Sequence, residues 1–424
     1  MRINQFYKQH NLAGVPYLLP FGNALAMQLR QLKLNETGAF IFEALQKQCS
    51  KPISPKYPDL CRRIADALYS EIGDPSLDSG RIAYDVKMFL DNLQKNSVLI
   101  NHNSYAQNFV KYSGEYREAA VEPEYDEKTD TYDCGGDFNL VIGGVNMVLC
   151  GDNALFAAPL HDFLDKNIAD SHKLRIDFKT VDTISPYTPE NAAIVVNTSE
   201  LRIFSYDDKY MLRYPNSGGI ARIILSIDGG YAEFYIRGEI DNYLRYDIFH
   251  ALRLIFSYTA ELNGLFLMHS ASFEYKGKAY LFSGPSGMGK STHTGLWKKL
   301  YPDEVSMLNG DLNLIGIEDG VPYVYGIPWN GTSGIYTNKK LPLGGITILH
   351  KAPEDRLVTL PKDEIQLSVL QRFISPFWTE AMLDRGIDFT EGLVDIIPVW
   401  QLHCTKEPSA AELMKSAIDS SLKL

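Results

Sequence analysis

Gly284-Pro285-Ser286-Gly287-Met288-Gly289-Lys290-Ser291 fits G-x-x-x-x-G-K-[ST], a pattern whose backbone amides cradle phosphates. The residues around it have the right character. Ala279-Tyr280-Leu281-Phe282 reads as a buried strand, and Thr292 to Leu300 reads as a helix with Leu296, Trp297 and Leu300 on one face. A strand, a glycine loop and a helix N-terminus together favour an anion, because unpaired N–H groups and the helix dipole point at it. The expected phosphate contacts are Gly284, Ser286, Gly287, Met288, Gly289, Lys290, Ser291 and Thr292. Lys290 would reach the β/γ-phosphates of ATP, and the Ser291 hydroxyl would sit on Mg²⁺.

Other chemistry-bearing residues flank this loop. Asp311 lies where the next strand is expected and would supply a second oxygen to Mg²⁺; as the residue after Asn309-Gly310 it is equally a good turn former. His269 precedes the loop and could accept a proton or bind metal, or is, more plainly, a hydrogen-bonded core histidine. His293 lies just inside the loop's helix and is expected to face the nucleoside side or solvent. Pro328-Trp329-Asn330-Gly331 is either an acceptor-binding loop or a packed turn, and His403-Cys404 is a coincidental pair on a strand end.

The elements that must position these residues are legible in outline. The 424 residues are enough for two or three domains, and 45% hydrophobic with 22% charged residues is ordinary globular usage. A net charge of −11 argues against nucleic acid as the main partner. Five cysteines without CxxC spacing read as reduced thiols, and the polar start Met1-Arg2-Ile3-Asn4-Gln5 is no signal peptide, so a cytoplasmic location is expected. The longest apolar run, Tyr246 to Met268, is broken by Asp247, His250, Arg253 and Glu261. It reads as a buried helix and then a strand, not a membrane span.

Four segments follow. Residues 1–102 carry helical periodicity at Ala39–Leu45, Cys61–Ile72 and Asp85–Leu93, with Asn35 as a helix cap and Ser97–Ile100 as a closing strand, a small winged-helix-like module. Residues 103–133 are polar and acidic, a linker. Residues 134–246 alternate with period two, with strands at Phe138–Ile142, Val145–Leu149, Ala193–Val196, Leu201–Phe204, Tyr210–Arg213, Ala221–Ile227 and Tyr231–Ile236. Residues 247–424 contain the phosphate loop. The class is α+β or α/β, multidomain.

His269-Ser270, a hairpin and the glycine loop together resemble the HPr kinase/phosphorylase family and, more distantly, the ATP-dependent phosphoenolpyruvate carboxykinases. In the HPr kinases a strand histidine lies 21 residues before the loop lysine, the spacing of His269 and Lys290. The family then has two aspartates, where this chain has Gly310 and Asp311. The resemblance implies a P-loop kinase domain with His269, Lys290 and Asp311 as catalytic residues, Ser291 and Asp311 as metal ligands, and one carboxylate missing. His269, Asn309 or a substrate group must then replace the lost base. No segment resembling the HPr kinase C-terminal signature follows, and no arginine-rich carboxykinase segment is evident. The N-terminal pattern Pro16-Tyr17-Leu18-Leu19-Pro20, Leu34–Ile41 and Asp85–Leu93 is similar to PqqD-type peptide chaperones, which bind leader peptides by strand addition. The resemblances imply an ATP-dependent kinase acting on a hydroxyl of a ribosomally made precursor peptide or a small molecule, with homo-oligomers possible. The alternative they leave open is a weakly active or non-catalytic nucleotide-binding peptide chaperone.

Overall fold

The computed structural model describes residues 1–50, 56–74, 76–100, 130–131, 138–165, 173–181, 188–189 and 191–422. The chain is a mixed α/β protein with several sheets, divided into two compact units. The acidic stretch 103–133 lies outside the described residues except for Asp130–Thr131, which pair with Lys179 and Thr180.

The first unit is built mainly from Met1–Asp126. Strands Tyr7–Leu12, Val15–Pro20 and Leu32–Lys33 form an antiparallel sheet, and Arg2–Ile3 pairs with Leu99–Ile100. Helices Glu36–Cys49, Tyr57–Ile72 and Ser79–Lys95 cover the core. Each helix starts and stops for a local reason. Asn35 caps the first by accepting from the Gly38 amide at 2.7 Å. Asp78 caps the third, and Gly73 ends the second in the left-handed region. Phe42, Leu45, Leu60, Ile64, Val86, Leu90 and Leu93 fill the space between them and are buried.

The second unit holds two large sheets. All seven strands expected between residues 138 and 236 are present within a residue or two. One strand escaped the sequence reading: Leu174–Thr180, which runs parallel to both Val145–Cys150 and Tyr231–Ile236 and joins two antiparallel groups into one nine-stranded sheet. The expected boundary at 246/247 falls inside the Asn242–Leu262 helix, and residues on both sides of it belong to the same unit. Asp241 caps this helix through the Leu244 amide. The helix packs on the first sheet, where the Tyr258 hydroxyl donates to the Ile227 carbonyl and that of Thr259 to Gly229.

The second sheet turns on the Phe266–Tyr275 strand, which pairs with Lys278–Ser283, Val305–Asn309 and Leu312–Glu318. Lys278–Ser283, Lys340–Lys351 and Val399–Cys404 run parallel, so their carboxyl ends meet at one edge. Ligands of open α/β sheets bind at such edges. The Lys290–Leu300 helix covers this sheet with Trp297 fully buried against Phe273 and Phe282. Leu296 and Leu300 pack at the margin.

His293 is not at the surface. It is 2% exposed and stacks on Phe282 at 4.7 Å. Its place in the first turn of a helix that lies flat on the sheet turns it inward, which corrects the expectation of a solvent- or nucleoside-facing ring. Burial pushes its pKa down to about 4; the Ala410 backbone and the Asp355 carboxylate pull only weakly the other way. Between pH 4 and 6.5 the unfolded chain therefore binds a proton that the fold does not. Stability falls as pH drops through that window, by about 3 kcal/mol at most from this group. His293→Phe should flatten the loss of the urea midpoint between pH 6.5 and 4; an unchanged slope would place the acid sensitivity elsewhere.

Candidate active site

The glycine loop leaves the Lys278–Ser283 strand at its carboxyl end and enters the Lys290–Leu300 helix. Gly287 and Gly289 have φ of +74° and +100°. Side-chain-bearing residues rarely adopt these angles, so the two glycines let the loop curl. Met288 N–H closes the turn onto the Pro285 carbonyl. Gly284 lies against Leu349, with no slack for a larger residue. Ser286, Ser291 and Thr292 are exposed, and Lys290 is 9% exposed. Burial pulls the Lys290 pKa below the usual lysine range; Asp311 opposes that shift and Arg372 adds to it. A buried ammonium without a bonded counter-ion is costly and fits an anion yet to arrive.

The long central strand brings His269 to Asp311. In register, His269 pairs with Leu312, and the Ser270 amide donates to the Asp311 carbonyl. His269 Nε2 is 3.2 Å from Asp311 Oδ1. That hydrogen bond, with the charges of Lys290 and Arg253, holds the Asp311 carboxyl below its ordinary range despite partial burial. Asp311 Oδ2 makes no hydrogen bond among the described residues. Asp311 does not lie on a strand, as expected from sequence, but in the bend between Val305–Asn309 and Leu312–Glu318. Asn309 causes the bend: its Oδ1 accepts from the amides of Asp311 and Leu312 at 2.9 and 3.0 Å. The turn reading and the site reading of Asp311 therefore describe one geometry.

Asn309 is not free to take the role of base that the resemblance left open to it. Its amide also donates to the Ile327 and Trp329 carbonyls, so every valence is engaged. The Pro328–Gly331 loop is tied here too. Trp329 Nε1 donates to the Phe249 carbonyl, and a Cβ on Gly331 would fall 2.7 Å from Asp311 Cγ. Gly310 has no room either: a Cβ there would overlap Ser333 Cβ and Oγ. Any side chain at position 310, a carboxylate included, would meet this loop.

His403 faces His350 at 5.3 Å and meets Gln401, while Cys404 is buried in the core. No group of three His, Cys, Asp or Glu side chains suitable for a metal exists among the described residues. Ser291 and Asp311 are hard oxygen donors of the kind that bind Mg²⁺ jointly with phosphate oxygens, which is how that ion is usually held. They fit an ion that arrives with a nucleotide rather than one bound alone.

Sequence reasoning missed two arginines. Arg372 presents its carbonyl to the His269 amide at 2.9 Å, and its guanidinium is half-buried near Lys290. Arg253 projects from the Asn242–Leu262 helix into a cavity of about 780 Å³ that also reaches His269 and Asp311. Neither guanidinium has a hydrogen bond or ion pair among the described residues. The available signal was a charged residue interrupting an apolar helix. No protein-family model matches the chain, and no curated protein matches it significantly. No helix among the described residues is long and apolar enough to cross a membrane.

The packing at Gly310 makes a direct prediction. Gly310→Ala should lower stability by about 1–3 kcal/mol, the usual cost of overpacking, and Ser333→Gly in the same chain should restore most of it. Urea midpoints of the single and double variants measure this. Equal midpoints for wild type and Gly310→Ala would show that the loop yields freely.

Proposed function

We propose that this protein is an ATP-dependent kinase that transfers a phosphoryl group to a hydroxyl. The observation that carries the reading is a curled glycine loop whose buried Lys290 acts by its charge on Asp311, the carboxylate hydrogen-bonded to His269. Phosphoryl transfer asks chiefly for positioning and charge neutralisation. Lys290 and Arg372 would neutralise the triphosphate, and the loop amides would orient it. Ser291 and Asp311 would hold Mg²⁺, which when bound offsets phosphate charge. His269, hydrogen-bonded to Asp311, would take the acceptor proton in place of the carboxylate lost at position 310. The P-loop fold of HPr kinase type is part of this proposal and is supported by the 21-residue spacing of His269 and Lys290.

The second reading, a nucleotide-binding scaffold without catalysis, is favoured by Gly310 and opposed by the ionised, partly uncommitted Asp311. Turnover separates them. Calorimetric titration of wild type with a non-hydrolysable ATP analogue and Mg²⁺ should show saturable binding that Lys290→Ala abolishes. Mg²⁺ alone should give no measurable heat. Asp311→Asn should remove nearly all transfer, and His269→Ala should slow it about 10²-fold. An analogue that fails to bind at millimolar concentration would defeat both readings, whereas binding without transfer to any acceptor selects the scaffold.

The first unit supports a peptide-recognition role of PqqD type. Tyr7–Leu12 is the long edge strand of its three-stranded sheet, with no strand paired to its outer edge among the described residues, as strand addition by an extended peptide would require. Precursor peptides encoded near this gene should slow hydrogen exchange in Tyr7–Leu12 of the full-length protein. Unchanged exchange with every such peptide leaves the unit a structural module.

A further inference from the structure

The Asp311–His269 pair belongs to two environments at once. Lys290 and Arg372 influence each other electrostatically and do not line the large cavity. Arg253 and Tyr214 do line it, together with His269 and Asp311. This separates the cations into a set beside the glycine loop and a single guanidinium inside the cavity.

The cavity's polar groups point to one kind of occupant. Arg253 is half-buried and unpaired among the described residues, and its foremost charged neighbour is Asp311. The Tyr214 hydroxyl is buried and has no hydrogen-bond partner among the described residues. Burial pushes its pKa well above the ordinary tyrosine range, so it stays a donor. His250 adds no second cation, since burial and Arg253 both push its pKa down. Asp247 is already met by the Ser217 hydroxyl at 2.6 Å. Glu200, Asn216 and Tyr246 also line the cavity but are exposed, so water meets them. The inner donors without a partner among the described residues are a guanidinium fork and a phenol O–H, a pair that matches a carboxylate or phosphate. A buried hydroxyl such as that of Tyr214 is costly to leave unpaired, which marks a place for a ligand.

We infer that the cavity is the acceptor site and that the acceptor is a small hydroxyl compound carrying its own carboxylate or phosphate, held by Arg253 and Tyr214. The inference rests on the kinase reading and names its substrate class. A volume of about 780 Å³ suits a free small molecule. Because Arg253 and Asp311 line the same cavity, one small molecule can place its anion on the first and its reacting hydroxyl by the second. That oxygen attacks the γ-phosphorus of ATP as its proton passes to the Asp311–His269 pair. The new O–P bond forms, the bond from the γ-phosphorus to the β,γ-bridging oxygen breaks, and ADP leaves with the electron pair. The pair then releases its proton to solvent.

The test is calorimetry on the full-length protein, with and without the ATP analogue and Mg²⁺. The probes are glycerate, glycerol 3-phosphate and glycerol. At least one anionic probe should bind saturably and glycerol should not; which anion binds tells carboxylate from phosphate. Arg253→Gln should weaken anion binding at least tenfold, Arg253→Lys less, and Tyr214→Phe severalfold, all with unchanged affinity for the ATP analogue. Circular dichroism confirms that each variant is folded, and Arg253→Lys serves if Arg253→Gln is not. The inference is overturned if neither anion binds, if glycerol binds equally well, or if Arg253→Gln leaves anion affinity intact. It is also overturned if folded Arg253→Gln loses the analogue, since Arg253 then serves the triphosphate. Anion binding in a protein that ignores the analogue defeats the kinase reading alone.

Discussion

One buried amide sets the geometry of the site. Asn309 is 2% exposed and uses both ends of its side chain. Its oxygen accepts from the amides of Asp311 and Leu312 and so bends the chain between two strands; its nitrogen donates to the carbonyls of Ile327 and Trp329. The position of the carboxylate and the course of the Trp329 loop are therefore one constraint. The network continues inward, where Asn313 donates to the carbonyl and hydroxyl of Ser270 and accepts from Ser272. Such networks are costly if half satisfied, and this one is satisfied throughout, which favours a single rigid arrangement. The same strand, Phe266–Tyr275, carries Ser270, Ser272 and His269. A fixed register thus becomes a fixed 3.2 Å separation between His269 and Asp311.

Around that constraint the charges run against the character of the chain. The net charge is −11, yet Lys290 and Arg253 both act on the one carboxylate of Asp311, and Arg372 acts on Lys290. Burial of Lys290 and both arginines disfavours their charged forms, and Asp311 offsets this at Lys290 and Arg253 only. Cations that outnumber their anion in this way are costly until further anions arrive. The acidic remainder of the surface cannot relieve it, because Coulomb interactions across solvent are weak beyond a Debye length.

The sequence announced what depends on local pattern. The glycine loop, the Asn35 cap and the alternating strands all follow from backbone needs that particular residues meet. It was silent where long-range pairing decides. Leu174–Thr180 alternates like its neighbours, but its parallel partners lie 27 and 56 positions away when Leu174 and Arg175 are paired with Met147 and Tyr231. Arg253 looked like an interruption in an apolar helix; only the fold shows that its side of the helix borders a cavity. His293 misled because one helical turn decides between surface and core, and the Lys290–Leu300 helix lies against Phe282 at that turn. At position 311 the structure shows the turn of the turn reading, and that turn leaves the carboxylate beside His269.

The glycine at 310 and the carboxylate at 311 have to be understood together. An aspartate at 310 would need space that Ser333 occupies, and Ser333 is held by its hydroxyl's bond to the Asn330 carbonyl. The loop thus trades a second carboxylate for a close approach to the first, since Gly331 lies directly against Asp311. With only one carboxylate, its two oxygens must divide the work. Oδ1 is committed to His269, and Oδ2 remains free. A metal on Oδ2 would draw electron density from Asp311 and weaken it as a proton acceptor, which leaves that duty to the imidazole it orients. Under the kinase proposal, the closed position at 310 would therefore shift base chemistry from a carboxylate to a histidine. It would leave Asp311 the simpler task, one that only a fixed negative charge can perform.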